Sequence, residues 1–181
     1  MISLRSEITK RVLNYFFLNP HRKVYVNALQ RRLNLDKRNL VKKLKELEEE
    51  GILRSERQGN LKLYFLNTAY SLYKEYRNII LKTVGLEERL KEILNQEKGI
   101  KEAYLYGSYA GNKMDVNSDI DLLVIGVHSI LSLQKKINKL EKEVDREINV
   151  VNIDVKEYKK RLKARDPFLE GIFSRNFIRL I

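Results

Sequence analysis

Apolar residues in the first third of the chain recur at the spacing of α-helices in three stretches. Pro20 ends the first stretch, because proline restricts the conformation of the residue before it. Asn27 and Asp36 are candidate N-caps of the second and third stretches, and Gly51 closes the third. Two strand-like runs then flank a turn centred on Gly59. The predicted elements are helices over 5–18, 27–33 and 37–50, a short strand at 24–26, and hairpin strands over 52–57 and 61–66.

The rest of the chain mixes helical and strand-like patterns. Asn67 is a candidate cap for a helix that reaches Thr83, and Gly85 separates that helix from a second one over 86–95. The chain is therefore expected to have an α+β fold, with a mixed sheet and flanking helices in its second part. The elements predicted there are strands over 103–106, 118–126 and 147–152, a helix over 130–144, and further helices and a last strand within 158–181.

These patterns divide the chain into a first domain over 1–67, a helical connector over 68–98 and a second domain over 99–181. No segment rich in Ser, Gly or Pro separates them, which favours a rigid joint. The connector has an apolar stripe with two interpretations. Either the stripe fixes the orientation of the two domains, or it pairs two subunits. We expect the protein to be a homodimer.

The amino-acid composition narrows the classes of protein to which this chain can belong. The chain has no cysteine, which excludes disulfides and Cys-ligated zinc, so any metal must be held by oxygen. It lacks an apolar run of about 18 residues and a signal-peptide pattern, which predicts a cytoplasmic protein without membrane contact. Its net charge of +12 favours a nucleic-acid partner. Most of that excess lies in residues 1–67, which have fifteen Lys and Arg against seven Asp and Glu.

The third predicted helix has a charge order that opposes its own dipole. Its basic residues fill the first turns and its glutamates the last, whereas the dipole favours the reverse by about 0.3 to 1 kcal/mol per charge. A recognition helix explains this order, because its N-terminal part enters the major groove of double-stranded DNA and contacts phosphates and base edges. The candidate DNA-binding residues are Lys37, Arg38, Asn39, Lys42 and Lys43 on the helix and Arg54, Arg57 and Lys62 on the hairpin.

Three helices followed by a hairpin are typical of a winged helix. The segment 47–60, which begins Leu-Glu-Glu-Glu-Gly, also resembles archaeal and bacterial winged-helix regulators, in which such a sequence ends the recognition helix and the wing follows. The resemblance implies binding to double-stranded DNA. The alternative is a winged helix used for protein contact, with its charges on a solvated face.

A second motif follows a short apolar strand. Gly107 and Ser108 come directly after that strand, and Asp119 and Asp121 follow at the start of a strongly apolar strand. Strand alternation places the two aspartates on one face, about 6.5 to 7 Å apart. Like charges so close raise each other's pKa unless a cation neutralises them, and their oxygens suit Mg²⁺ or Mn²⁺. Because Gly107 lets the backbone approach a phosphate and Ser108 adds a hydroxyl, the motif predicts a site for a metal-bound nucleoside triphosphate.

The order Gly-Ser, ten residues, then Asp-hydrophobic-Asp-hydrophobic resembles the DNA polymerase β-like nucleotidyltransferase superfamily, particularly its small prokaryotic members. The resemblance covers about residues 100–155, and with the first domain the whole chain looks like a winged-helix-plus-nucleotidyltransferase regulator. It implies that Gly107 and Ser108 hold the triphosphate. It also implies that Asp119 and Asp121 are catalytic and bind two divalent ions that organise nucleotidyl transfer.

By the same resemblance, the third carboxylate of that superfamily falls at Asn149. Asparagine is neutral and is not a base, and the loss of such a group typically lowers the rate about 10² to 10⁴-fold. Glu147 shares the strand parity of Asn149 but lies about 7 Å away, and Asp154 points to the opposite face of a regular strand. Neither replaces the acid, which leaves open a slow site, a site without turnover, or a retained fold with an empty site.

Two functions are therefore consistent with the sequence. The first is a DNA-binding transcriptional regulator whose second domain binds Mg-nucleotide with weak or no transfer activity. The alternative is an active nucleotidyltransferase that moves a nucleotide from a nucleoside triphosphate to a macromolecular or small acceptor. Asn149 and the pairing of domains favour the first, whereas Asp119 and Asp121 keep the second open.

Overall fold

The structure is a computed structural model and describes residues 4–115 and 118–181. By its internal contacts the chain divides into two compact units. The first unit comprises the residues up to 88 together with 143–145, and the second comprises 89–142 and 146–181. Within the described ranges, none of the helices is long and apolar enough to cross a membrane.

The first unit combines helices with an antiparallel sheet. Strand β3 lies between β1 and β2 and pairs antiparallel with both. Gln58 pairs with Leu61 across the turn, where Gly59 has a φ of +59°, so the predicted hairpin is confirmed. The elements are α1 (Glu7–Leu18), β1 (Val24–Tyr25), α2 (Val26–Leu33), α3 (Lys37–Glu49), β2 (Leu53–Gln58), β3 (Leu61–Leu66) and α4 (Tyr73–Thr83).

Helix α3 shows how the sequence forms this unit. Its three buried leucines recur at intervals of three and four residues, which places them on one face, and each is at most 1% exposed. Burial of such a side chain contributes about 1.5 to 3 kcal/mol. The Asp36 carboxylate accepts a hydrogen bond from the backbone N–H of Asn39 at 2.9 Å, so the predicted N-cap is confirmed. The buried leucines are Leu40, Leu44 and Leu47.

Two other predicted caps are wrong. Helix α2 already begins at Val26, because the chain turns into it directly from the β1–β3 pairing, and Asn27 therefore lies inside the helix. Asn67 does not cap α4, which begins only at Tyr73. Its side-chain amide instead donates to the carbonyl of Gly51 at 2.7 Å and satisfies a backbone acceptor just after the end of α3.

The second unit is built on a mixed sheet with the strand order β6-β5-β4-β7. Strand β4 is antiparallel to β5 and β7, whereas β5 and β6 are parallel, as expected for the predicted mixed sheet with flanking helices. Helix α5 begins in the first unit, and α7 ends there. The elements are α5 (Leu86–Asn95), β4 (Ile100–Tyr106), α6 (Gly107–Ala110), β5 (Ile120–Gly126), α7 (Ile130–Val144), β6 (Ile148–Ile153), α8 (Val155–Lys163), α9 (Pro167–Phe173) and β7 (Ile178–Arg179).

Strand β5 positions the polar residues of this unit. It lies inside the sheet and is buried along its length from Leu122 to Gly126, so apolar residues face both sides there. Its N-terminal end is different, because the side chain of Asp121 is half-buried and Asp119 immediately precedes the strand. The register with β6 pairs Asp121 with Asn149. The carboxylates therefore lie where the apolar core of the sheet ends.

Candidate functional site

The two aspartates at the start of β5 act on each other electrostatically. Both side chains are half-buried, whereas Ile120 between them is fully buried, as expected for alternation along a strand. Burial raises the pKa of Asp121 above its ordinary value, and the nearby charge of Asp119 raises it further. The strand thus brings two like charges together in a partly desolvated place.

Asn149 lies beside both carboxylates. Its Nδ2 donates to Oδ2 of Asp119 at 3.2 Å, and its register partner across the parallel ladder is Asp121. A hydrogen bond from the same amide opposes the rise in the pKa of Asp121. An amide N–H is a donor and cannot coordinate a cation, so Asn149 offers a metal its Oδ1 alone.

Glu147 and Asp154 are acidic residues on either side of Asn149 in the sequence. Their surroundings differ from those of Asp119 and Asp121. The backbone carbonyl of Glu147 accepts from the N–H of Ile120 at 2.9 Å, and its side chain is exposed. The carboxylate of Asp154 caps α8, where it accepts from two backbone N–H groups at 2.7 and 2.9 Å. Among residues 4–115 and 118–181, no group of three or more His, Cys, Asp or Glu side chains is placed to hold a metal ion.

Gly107 lies directly against Asp121. It has a φ of +69°, and a Cβ at this position would lie 2.1 Å from Oδ2 of Asp121. The Ser108 Oγ is 3.5 Å from the carbonyl oxygen of Asp119, at the outer limit of a hydrogen bond. The structure therefore brings the Gly107–Ser108 pair next to Asp119 and Asp121. Ten residues separate Ser108 from Asp119 in the sequence.

A cavity of about 740 Å³ opens beside Gly107. Such a volume is within the ordinary range for small-molecule sites, about 300 to 1,000 Å³. Most of the cavity lining was not predicted from the sequence, because the residues come from two segments more than fifty positions apart. The first segment contributes Tyr106, Gly107, Ser108, Gly111 and Lys113, and the second contributes Pro167, Phe168, Gly171, Ile172, Arg175 and Asn176.

A buried arginine was also not predicted from the sequence. Arg146 is 6% exposed, and its Nη1 donates to the backbone carbonyls of Asp115 and Ser118, each at 2.8 Å. The Ser118 hydroxyl in turn donates to the Asp115 carboxylate at 2.9 Å. Because Asp119 follows Ser118 in the chain, Arg146 holds the backbone that leads into the acidic pair. A basic residue between a helix and a strand is ordinarily on the surface, so this role could not be predicted from local sequence.

The electrostatics of the acidic pair suit a divalent cation. None of the ion pairs in the described part of the chain includes Asp119 or Asp121. Carboxylate oxygens are the ligands that Mg²⁺ prefers, and a bound cation would favour the ionised form of Asp121, whose pKa is raised by burial and by the charge of Asp119. These residues therefore fit a Mg²⁺ or Mn²⁺ ion.

The candidate DNA-binding residues divide into two groups. Lys43 and Lys62 form ion pairs with Glu46 and Glu48, at 2.6 and 2.7 Å, and Lys62 also lies over the ring of Tyr64. The others are exposed and form no ion pair within the described residues. This second group is Lys37, Arg38, Asn39 and Lys42 on α3 and Arg54 and Arg57 on β2.

Comparison with known proteins identifies the class of the second unit. Residues 88–168 match the family model described as Polymerase beta, Nucleotidyltransferase, so this part of the chain is a nucleotidyltransferase domain. No curated protein sequence matches the chain.

Solved structures with some similarity include two toxin-antitoxin structures. The one with AMP-PNP is 20% identical and covers 52% of this chain and 72% of its own, with a TM-score of 0.39. The other, a mutant of MntA-HpeT, is 18% identical and covers 53% and 73%, with a TM-score of 0.39. A structure described as a candidate nucleotidyltransferase from Sulfolobus solfataricus is 18% identical and covers 41% and 68%, with a TM-score of 0.28. Similarities this distant carry no argument about what the present chain binds.

Proposed function

We propose that the second unit binds a magnesium-bound nucleoside triphosphate and has weak or no transfer activity. The observation that carries this proposal is the cluster of Asp119, Asp121 and Asn149. It contains two carboxylates that repel each other, with an amide donor beside them. The nucleotidyltransferase domain over residues 88–168 supports the same conclusion.

In this proposal Asp119 and Asp121 hold the divalent ion, and Gly107 and Ser108 hold the triphosphate. The glycine brings the backbone close to Asp121, so the metal and the phosphates would share one small region. A divalent ion bound there supplies charge neutralisation and polarises phosphate oxygens. Asn149 orients Asp119 through its hydrogen bond but accepts no proton from an attacking group.

Calorimetry with Mg-ATP tests the binding. The unmodified protein should bind, and Asp119→Asn with Asp121→Asn should weaken binding at least about 100-fold, because both metal ligands lose their charge. Glu147→Gln is the matched control, since it removes a nearby exposed carboxylate and should bind normally. Equal binding by the double variant would contradict the proposed ligands.

Asn149→Asp tests the transfer activity. It adds a carboxylate beside Asp119 and Asp121, so consumption of ATP should rise from a slow or undetectable rate in the parent. Thin-layer or mass-spectrometric detection of pyrophosphate release measures it. A parent that already consumes ATP rapidly, with no gain in the variant, would favour the alternative function, an active nucleotidyltransferase with its own acceptor.

For the first unit we propose a winged helix that binds double-stranded DNA, as expected of a transcriptional regulator. The order of helices and hairpin supports the fold, and the exposed Lys37, Arg38 and Lys42 on the first turns of α3 support the function. A homodimer would present two such helices to a two-fold operator. Light scattering that finds only monomer would contradict that part.

A mobility-shift assay on duplex DNA at two salt concentrations tests DNA binding. Affinity should fall at the higher concentration, because phosphate contacts release counterions, and Lys42→Ala with Lys43→Ala should weaken binding to all sequences alike. Binding that is unaffected by salt and by both substitutions would rule out α3 as the recognition helix.

A further inference from the structure

Helix α8 of the second unit carries four lysines on one face. They lie at positions i, i+3, i+4 and i+7, the spacing that brings residues to the same side of an α-helix. All four are exposed, and within residues 4–115 and 118–181 none of them forms an ion pair. This lysine stripe consists of Lys156, Lys159, Lys160 and Lys163.

The other side of α8 attaches the helix to its unit. Val155 and Tyr158 are half-buried and pack against the apolar core of the mixed sheet. The acidic groups of this segment are already engaged. The Asp154 carboxylate caps the helix, and Glu157 accepts from Nε of Arg161 at 2.7 Å. The lysine stripe is therefore not neutralised by the carboxylates next to it in the chain.

Helix stability does not account for the lysine stripe. Like charges at i,i+4 spacing destabilise a helix, and the stripe contains two such pairs, 156 with 160 and 159 with 163. The helix dipole favours cations in the last turn, which explains Lys160 and Lys163, but it opposes Lys156 in the first turn. The alignment of all four charges is better explained by a polyanion that contacts them together.

The chemistry of this face indicates the class of partner. Protein interfaces are centred on aromatic and apolar anchors, whereas the stripe consists of lysines alone. A membrane-surface helix inserts an apolar face, but that face of α8 packs on the core, and the exposed Leu162 is a single residue. A row of lysines matches the repeated phosphates of a nucleic acid backbone.

We propose that the lysine stripe is a second nucleic-acid-binding surface of the chain, which holds the phosphate backbone without reading the base sequence. The inference goes beyond DNA binding by α3, because the stripe belongs to the other unit and requires no groove and no bound nucleotide. Lys156 and Lys163 are seven residues apart on the helix, so the stripe is about 10 Å long. That length fits about three successive phosphates of one strand, at about 3.4 Å each.

Binding to a single-stranded thymidine oligonucleotide of about 20 residues tests the proposal, because this probe has no major groove for α3 to enter. Replacing the whole lysine stripe with glutamine should lower the affinity at low salt about tenfold or more. The salt dependence should fall by about 0.7 for each lost phosphate contact, hence by about 2 in all. Fluorescence anisotropy of the full chain at several salt concentrations measures both quantities.

Lys135 and Lys139 of α7 provide the matched control. They are exposed lysines of the same unit at i,i+4 spacing and lie outside the stripe. Lys135→Gln with Lys139→Gln should leave affinity and salt dependence unchanged. Lys156→Gln with Lys160→Gln removes the same charge at the same spacing and should lower both. Equal losses in the two double variants would overturn the inference, because net charge alone would then attract the oligonucleotide.

The absence of cysteine from the chain allows a direct measurement at the stripe. Lys159→Cys and, as its control, Lys135→Cys each introduce one thiol that a fluorescent maleimide can label. Saturating oligonucleotide should slow labelling at position 159 and not at position 135. Labelling at 159 that is unaffected by the oligonucleotide would contradict the proposal, and this readout does not depend on the stability of the fourfold glutamine variant.

Further outcomes separate the lysine stripe from the first unit and from lipid. In a chain whose Lys37, Arg38 and Lys42 are replaced with glutamine, loss of the stripe should lower affinity by the same factor, because different residues carry the two contributions. If the α3 changes alone abolish binding to the oligonucleotide, the stripe contributes nothing and the inference is overturned while DNA binding by α3 stands. Vesicles containing phosphatidylserine that bind as tightly as the oligonucleotide, with equal dependence on the stripe, would also overturn it.

Discussion

The basic residues of α3 and the hairpin differ from the acidic pair of β5 in how each cluster of like charge is accommodated. Lys43 and Lys62 are neutralised by glutamates of their own unit, and the remaining cations project into solvent. Asp119 and Asp121 are half-buried and receive an amide hydrogen bond but no counter-charge among the described residues. Water screens exposed charges, whereas partial burial makes the same repulsion more costly. The acidic pair is therefore the stronger indication of a binding site.

The largest expected effect concerns the support of the acidic pair. Arg146→Met keeps the volume of the buried side chain but removes its hydrogen bonds to the carbonyls of Asp115 and Ser118. The free energy of unfolding should fall by about 3 kcal/mol, because hydrogen bonds from a charged donor contribute about 1.5 to 3 kcal/mol. Urea denaturation measures the loss. Arg146→Lys, which retains the charge, should lose less, and equal stability of all three proteins would show that this arginine does not hold the backbone.

The next effect separates exposed cations from paired ones. Replacing Lys37, Arg38 and Lys42 with glutamine should weaken DNA binding about 10- to 100-fold and reduce the salt dependence by about 0.9 per lost phosphate contact. Replacing Lys43 and Lys62 with glutamine should have a smaller effect, because their glutamate partners already neutralise them. Fluorescence anisotropy at several salt concentrations measures both. A larger loss of affinity from replacing Lys43 and Lys62 than from replacing Lys37, Arg38 and Lys42 would contradict the distinction between the two groups.

A smaller effect concerns pH. The pKa of Asp121 in the folded protein is raised above 3.8, so the folded state holds this proton more tightly than the unfolded chain. Stability from this group is therefore fully present below pH 3.8 and is lost as the pH rises through the raised pKa. Asp119→Asn removes the like charge, so the loss should shrink and stability near neutral pH should rise by less than about 1 kcal/mol. Thermal unfolding without divalent ions across this range tests the sign.

The smallest expected effect is at Glu48. Hydrogen bonds from Lys62 and Ser55 hold the pKa of Glu48 below its ordinary value, so its contribution to stability should be lost as the pH falls through that lowered pKa. Glu48→Gln releases Lys62 at a cost below about 1 kcal/mol, as expected for a partly exposed pair. DNA affinity should rise about two- to threefold. No gain would indicate that Lys62 does not reach the DNA.

The bounds of a helix or strand were predicted correctly where residues within that segment determine them. Helix α5 begins and ends at the predicted residues, 86 and 95, because its apolar periodicity and the glycine before it lie within one short segment. The caps at Asn27 and Asn67 were wrong because long-range contacts decide them. The pairing of β1 with β3 fixes where α2 begins. The side-chain amide of Asn67 donates a hydrogen bond to the Gly51 carbonyl instead of capping α4.

In the candidate site, too, residues close together in the sequence were predicted and distant ones were not. Asp119 and Asp121 were predicted to share a face because they lie two positions apart, and the location of Asn149 beside them followed from a family resemblance. Phe168 and Arg175 were missed because only the tertiary fold brings α9 to the Gly-Ser motif. Arg146 was missed because its partners are backbone carbonyls, which have no signature in the sequence.

Gly107 sets a limit on how this domain can be re-engineered. The space that a side chain at 107 would need is already filled by the carboxylate of Asp121, so any larger residue would displace that carboxylate from its position. At Gly171, by contrast, a side chain would meet open space. Directed evolution of ligand preference should therefore accept variation on the α9 side of the cavity and reject it at residue 107, which gives the pocket one fixed wall and one adjustable wall.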